Sequence, residues 1–202
     1  MDKKLFEKGR TYLKKADPIM RKVIEENEIS LITKSNNYFQ VLCESIVSQQ
    51  LAAKAAQAIC RRFLEYFQEE LTPLKIEQSS LEELRALGLS QAKVRYIKDL
   101  AICCLTGRVH LGQIDKLSDQ EVIQELTMVK GIGKWTAEIF LIFGMGRMDI
   151  LPVDDLGIKK ALQLHYSLDE LPTPGLVGEK GETWKPYRTI AALYLWKSLN
   201  NQ

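Results

Sequence analysis

No apolar run in this sequence approaches the ~20 residues that a bilayer-spanning helix needs, so a membrane protein is not expected. The first fifteen residues are charged throughout and lack the apolar core of a secretory signal, which points to a cytoplasmic protein. Cys43, Cys60, Cys103 and Cys104 have no metal-ligand spacing and no secretory context, so buried free thiols are expected. His110 and His165 stand alone, which leaves no basis for a histidine metal site or a histidine-centred triad. Charge of one sign is also missing. Against 28 Lys and Arg stand 26 Asp and Glu, a net charge of +2. Any polyanion must therefore be met by local placement of charge and amides. Alternating apolar and polar runs are absent too, so the class is all-α. There are no convincing repeats or low-complexity tracts.

What is present is ordinary for a globular chain: 46% hydrophobic and 27% charged residues over 202 positions, enough for one compact unit or two small lobes. Residues 2–15 read as a charged amphipathic helix. Asp17-Pro18 starts another that runs to about Ile29. Ser35-Asn36-Asn37 opens a third, whose apolar stripe is interrupted at Gln49-Gln50-Leu51. Ala52 to Phe67 reads as a long Ala-rich helix, and Pro73 to Gln78 as a linker. Ser80 and Ser118 each begin a capping box with the Glu three residues on. Ser90 starts a helix that carries Lys93, Arg95 and Lys98 on its polar side. Residues from His165 to Lys180 read as irregular, and the last helix as Trp184 to Leu199.

The stretch from Leu126 to Leu162 is the most informative. An apolar helix end, Val122 to Met128, leads into Lys130-Gly131-Ile132-Gly133-Lys134. A second apolar helix, Trp135 to Phe143, follows, and a short connector brings Asp154 and Asp155 to the front of a third. Two glycines around one branched residue let the chain take φ > 0 and let another backbone come close. The amides of Gly133, Lys134 and Trp135 would then open the new helix, where its dipole favours an anion such as phosphate. On residue types alone, a plain structural turn and a phosphate site both stay open. Likewise, Asp154 and Asp155 can be caps and nothing more.

The wider string, helix, L-x-x-V-x-G-I-G-x-W-T-A, helix, then V-D-D at 153–155, resembles the helix-hairpin-helix DNA glycosylases, closest to their monofunctional 3-methyladenine (alkylpurine) branch. The likeness is strong over 117–162, moderate over 36–106 and 184–199, and weak at the N-terminus. It implies an all-α fold of two helical lobes with the active site in the cleft between them. The hairpin lobe would span 51–145, and the second lobe would join 1–50 to 146–202. It implies that the hairpin (Gly131, Ile132, Gly133, Lys134 and Thr136) grips DNA backbone, and that Asp155 is the catalytic carboxylate. The segment I-V-S-Q-Q-L-A-A-K-A-A resembles the family's minor-groove segment, which brings in Gln49, Gln50 and Leu51. Gln50 matches the wedge position, yet an amide departs from an apolar wedge and could instead hydrogen-bond the widowed base. Trp135 and Trp196 match pocket tryptophans, with core packing as the alternative for each. Ile139 and Leu156 stand where one bacterial member has tyrosines, which implies a less aromatic base pocket.

The resemblance further implies a monovalent cation, Na+ or K+, on the main-chain carbonyls of Thr127, Val129 and Ile132, with no cofactor required. Some members carry an iron–sulfur loop of C-terminal cysteines. No Cys follows Cys104 here, so that cluster is not expected. Members that also nick the strand have a Lys where this chain has Trp135. Lys134 is one residue earlier, so no lyase activity is expected. The expected partner is double-stranded DNA with alkylated bases, met by a monomer with no membrane involvement, at the nucleoid if the source is bacterial. Three readings stay beside this one, the plainest being a helical interaction protein that does not bind DNA. The lesion could be uracil, hypoxanthine or a mismatched base, or the chain could be a non-catalytic helix-hairpin-helix DNA-binding protein.

Overall fold

The computed structural model describes residues 3–68 and 70–199. Residue 2, which opens the first expected helix, lies outside them, as do residues 1 and 200–202 of the expected second lobe. Among the described residues there are twelve α-helices and no strand, so the chain is all-α. They fall into two compact units, Ser35–Phe140 and Met1–Lys34 with Leu141–Gln202.

The unit that joins both termini is built on α1 (Lys3–Ala16), α2 (Pro18–Glu26), α10 (Leu156–His165), α11 (Pro174–Glu182) and α12 (Arg188–Leu199). Its core brings Phe6 and Leu13 of α1 and Met20, Val23 and Ile24 of α2 together with Ile158 and Leu162 of α10 and Ile190, Tyr194 and Leu195 of α12. Asp17 starts α2 as expected. Its Oδ1 accepts from the amides of Ile19 at 2.8 Å and Met20 at 3.1 Å. The connector before Asp155 is tied to the start of α12. Arg188 donates to both carboxylate oxygens of Asp149, at 2.7 and 2.9 Å, and Thr189 Oγ1 donates to Arg147 O at 2.7 Å while accepting from Ile150 N at 3.0 Å.

The contiguous unit holds α3 (Tyr38–Ser48), α4 (Ala53–Tyr66), α5 (Pro73–Gln78), α6 (Leu81–Ala86), α7 (Gln91–Leu105), α8 (Asp119–Leu126) and α9 (Lys134–Ile139). Helix α7 is its spine: α3, α5 and α6 all pack on it, and α8 packs on α9. Both capping boxes form, Ser80 with Glu83 and Ser118 with Glu121. The chain divides between Lys34 and Ser35 and between Phe140 and Leu141, so residues 35–50 group with the hairpin. Helix α3 packs on α4 and α7, which places it there and not with the termini.

Besides α2, which stops at Glu26 short of the expected Ile29, four local readings differ from the structure. The expected linker at 73–78 is α5, started by the Thr72 hydroxyl, which accepts from Lys75 N, with Pro73 in the first turn. Only Ile76 of its six residues is buried, so it shows no period. The irregular stretch to Lys180 contains α11, capped by Thr173. Its three glycines lower helix propensity, but at Gly181 a Cβ would meet Leu151 Cδ2 at 2.3 Å, so packing requires that residue. The last helix begins at Arg188, two residues after Pro186, which has no amide hydrogen to give to a helix. The helix after the hairpin, expected as Trp135 to Phe143, is α9 followed by a π-helical turn, Phe140–Gly144.

Candidate active site

In the unit that joins the termini, Asp155 caps α10. Its Oδ1 accepts from the amide of Ile158 at 2.8 Å and from the indole Nε1–H of Trp196 at 2.8 Å. Both donors therefore reach one oxygen. Trp196, on α12, is half-buried, and its ring stacks on Phe143 with centroids 5.9 Å apart and planes 26° apart. Gly157 makes room for this arrangement: a Cβ there would lie 3.0 Å from both Asp155 Oδ1 and Trp196 Cδ1. Leu156 is exposed beside them, and Asp154 is exposed and does not cap the helix. Capping and chemistry are thus not rivals for Asp155. The capping bond points one carboxylate oxygen at the positive end of the α10 dipole and leaves the side chain at the front of the helix.

The hairpin lies in the contiguous unit. Gly131 has φ +84°, and a Cβ there would meet the Tyr96 ring at 2.2 Å, so this residue is required twice over. Gly133 differs. It is extended at φ −90°, it caps α9 without a side-chain hydrogen bond, and a Cβ on it would meet nothing within 4 Å. The turn is fastened by Asp99, whose Oδ2 accepts from Lys130 N at 2.9 Å. Gln49 ends α3 and donates from Nε2 to Gly131 O at 2.9 Å and to Thr136 Oγ1 at 3.4 Å. Gln50 beside it is exposed in the left-handed region at φ +56°, and Leu51 is exposed next to it.

These placements sort the expected site residues. Asp155, Leu156 and Trp196 come together in one unit, while Gln49, the hairpin residues, Trp135 and Ile139 belong to the other. Thr136, expected on DNA, is buried and accepts from Gln49, so its side chain braces the turn. The Ile132 side chain is buried as well, which leaves only its main chain for an outside contact. Lys134 is exposed, with Nζ 3.6 Å from the buried Glu138. Trp135 is 44% exposed and Ile139 half-buried. Sequence reasoning missed Phe143. Its one signal was an aromatic residue at the end of an apolar helix, and only the π turn reveals where it stands.

Residues 43–186 match the family described as HhH-GPD superfamily base excision DNA repair protein. DNA-3-methyladenine glycosylase 1 of Schizosaccharomyces pombe is 35% identical over an alignment of 189 positions that covers 87% of this chain and 83% of that one. The structure of the same yeast's 3-methyladenine DNA glycosylase in complex with abasic DNA aligns with a TM-score of 0.86 at 33% identity, over 96% of this chain and 97% of the other. A DNA-3-methyladenine glycosidase from Bacillus halodurans aligns at 0.81 and 36% identity, over 94% and 87%. With a family match across most of its length and these relatives alongside, this chain belongs to the HhH-GPD superfamily of base excision DNA repair proteins.

Proposed function

We infer that this protein is a monofunctional DNA glycosylase that hydrolyses the N-glycosidic bond of alkylated purines flipped out of duplex DNA. The observation that supports this most directly is the Asp155 carboxylate, held at the N-terminus of α10 by the Ile158 amide and the Trp196 indole. A purine alkylated at N3 or N7 carries a positive charge and leaves readily, so no strong general acid is needed. The bonding pair of the C1′–N bond passes to the ring and neutralises it. Positive charge develops on the deoxyribose, and a fixed carboxylate stabilises it. Water then bonds to C1′ and releases its proton to bulk solvent, with Asp155 orienting the water. The products are a neutral free base and an abasic site.

On this reading the hairpin holds DNA backbone through the start of α9 and Lys134, while Gln50 and Leu51 fill the space a flipped base leaves. Thr127, Val129 and Ile132 all lie on the segment leading from α8 into α9. Their neutral carbonyl oxygens suit a hard monovalent cation. Val129 O accepts from Ile132 N at 3.1 Å, which leaves a second lone pair for an ion. Such an ion would place positive charge beside the phosphate. The protein acts on DNA as a monomer in the cytoplasm. Among the described residues no helix is long and apolar enough to cross a membrane.

The test is release of 3-methyladenine and 7-methylguanine from methylated duplex DNA, wild type beside Asp155→Asn. Release by the wild type and a loss on the order of 10²-fold or more in the variant are expected. An unchanged rate in Asp155→Asn would sink the catalytic assignment. Release of uracil or hypoxanthine in place of the methylated bases would move the lesion class.

A further inference from the structure

We propose that Trp196 is a positioning residue that fixes the plane of the Asp155 carboxylate through its indole N–H. This rests on the reading of Asp155 as the reacting carboxylate. A helix cap by itself is a loose mount, because the terminal torsion of an Asp side chain is broad and one hydrogen bond allows the carboxylate to swing about it. Here a second donor reaches the same oxygen from another helix. Ile158 N and Trp196 Nε1 both lie 2.8 Å from Oδ1. Two donors on one oxygen from different directions set both the position and the plane of the group.

The indole is itself held. Its face stacks on Phe143, and its edge approaches α10 at Gly157, where any larger residue would lie 3.0 Å from ring and carboxylate alike. Three elements, the start of α10, the last turns of α12 and the π-helical turn, therefore converge on one carboxylate oxygen. A tryptophan that served only as apolar filling would need no partner for its N–H beyond a neighbouring carbonyl. One that served only to stack on a base would not need this edge contact. The N–H on Asp155 is the feature that neither role requires.

The experiment separates the N–H from the ring. Trp196→Phe keeps an aromatic face against Phe143 and removes the donor. Single-turnover release of 7-methylguanine from a duplex should fall about 10- to 100-fold, as expected when a reacting group is misplaced by a fraction of an ångström. Affinity for an abasic-site duplex should stay within about twofold of wild type, the size of a rim contact. The decisive measurement is the same substitution in an Asp155→Asn background, where a residue acting through Asp155 has little left to affect. Gly157→Ala, which wedges ring and carboxylate apart, should reproduce the rate loss, and it serves where Trp196→Phe folds poorly. A wild-type rate in Trp196→Phe overturns the proposal, as does an equal loss in both backgrounds, which would make the ring a base contact. Full activity of Asp155→Asn would instead remove the catalytic reading beneath it.

Discussion

At Gly131 the backbone is left-handed and a methyl group would enter the Tyr96 ring; at Gly133 the backbone is extended and a methyl group would enter open space. The two glycines look equivalent in the sequence, where G-I-G announces a tight turn and little more. Their separate reasons need coordinates, because one depends on a ring 35 positions earlier and the other on what is absent around it. The consequence is a pair of substitutions with opposite readouts. Gly131→Ala should lower stability by about 2–4 kcal/mol, from left-handed strain plus a clash against a ring. Gly133→Ala should unfold within roughly 0.5–1 kcal/mol of wild type. Its added methyl should instead weaken duplex binding, since it stands where a phosphate would approach the start of α9. Urea unfolding and duplex titration of both variants check the pair. The residue proposed to react was more legible. Asp155 was readable as a cap and, by resemblance, as the carboxylate, but its bond to Trp196 spans 41 positions and left no local sign.

Elements that begin with strong chemistry were visible. Asp17-Pro18, Ser80 with Glu83, Ser90 and Ser118 with Glu121 all start helices where their side chains demanded it. Helices α5 and α11 were not, because a six-residue helix with one buried apolar residue and a helix with three glycines carry no readable period. They exist because tertiary packing supplies what propensity does not. The start of α2 shows how much can hang on one cap. Asp17 Oδ2 accepts from the buried Trp184 indole at 3.0 Å and from the Tyr166 hydroxyl, so the cap of α2 also anchors the segments that follow α10 and precede α12. Burial alone would push its carboxyl up, but the donors from Tyr166, Trp184, Met20 and Ile19 outweigh it and hold it below the ordinary carboxylate range. Asp17→Ala should therefore cost about 2–4 kcal/mol at neutral pH, from a lost cap and from a buried indole and a half-buried hydroxyl left without their acceptor. A carboxyl whose folded pKa is depressed stabilises the fold above its unfolded pKa and loses that contribution as pH falls toward the folded one. The gap between wild type and Asp17→Ala should thus narrow below about pH 4. Urea midpoints taken from pH 7 down to 3 decide this, and a gap that held constant would count against an ionised Asp17.

For the whole molecule, class and family were legible from a short span, since residues 117–162 hold the helix, two-glycine turn, helix and Asp-led helix in order. The division into units was less so. Helix α3 reads as part of the N-terminal half, and only its packing on α4 and α7 assigns it to the hairpin unit. Charge is a property of the whole chain, and it makes the last prediction. With 28 basic and 26 acidic side chains there is no broad field to draw in a polyanion. On the hairpin grip proposed above, affinity for undamaged duplex comes from few phosphate contacts, made by helix-start amides and local cations such as Lys134. Each neutralised phosphate contributes about −0.9 to the slope of log K against log salt. For about three contacts, raising salt from 50 to 200 mM should weaken binding by a factor of tens, whereas 6–10 contacts would cost roughly 10³–10⁵. Duplex titrations across that range read the slope directly. A value steeper than about −6 would mean that the protein meets DNA over a broad basic face, and the hairpin would no longer suffice as its principal grip on the backbone.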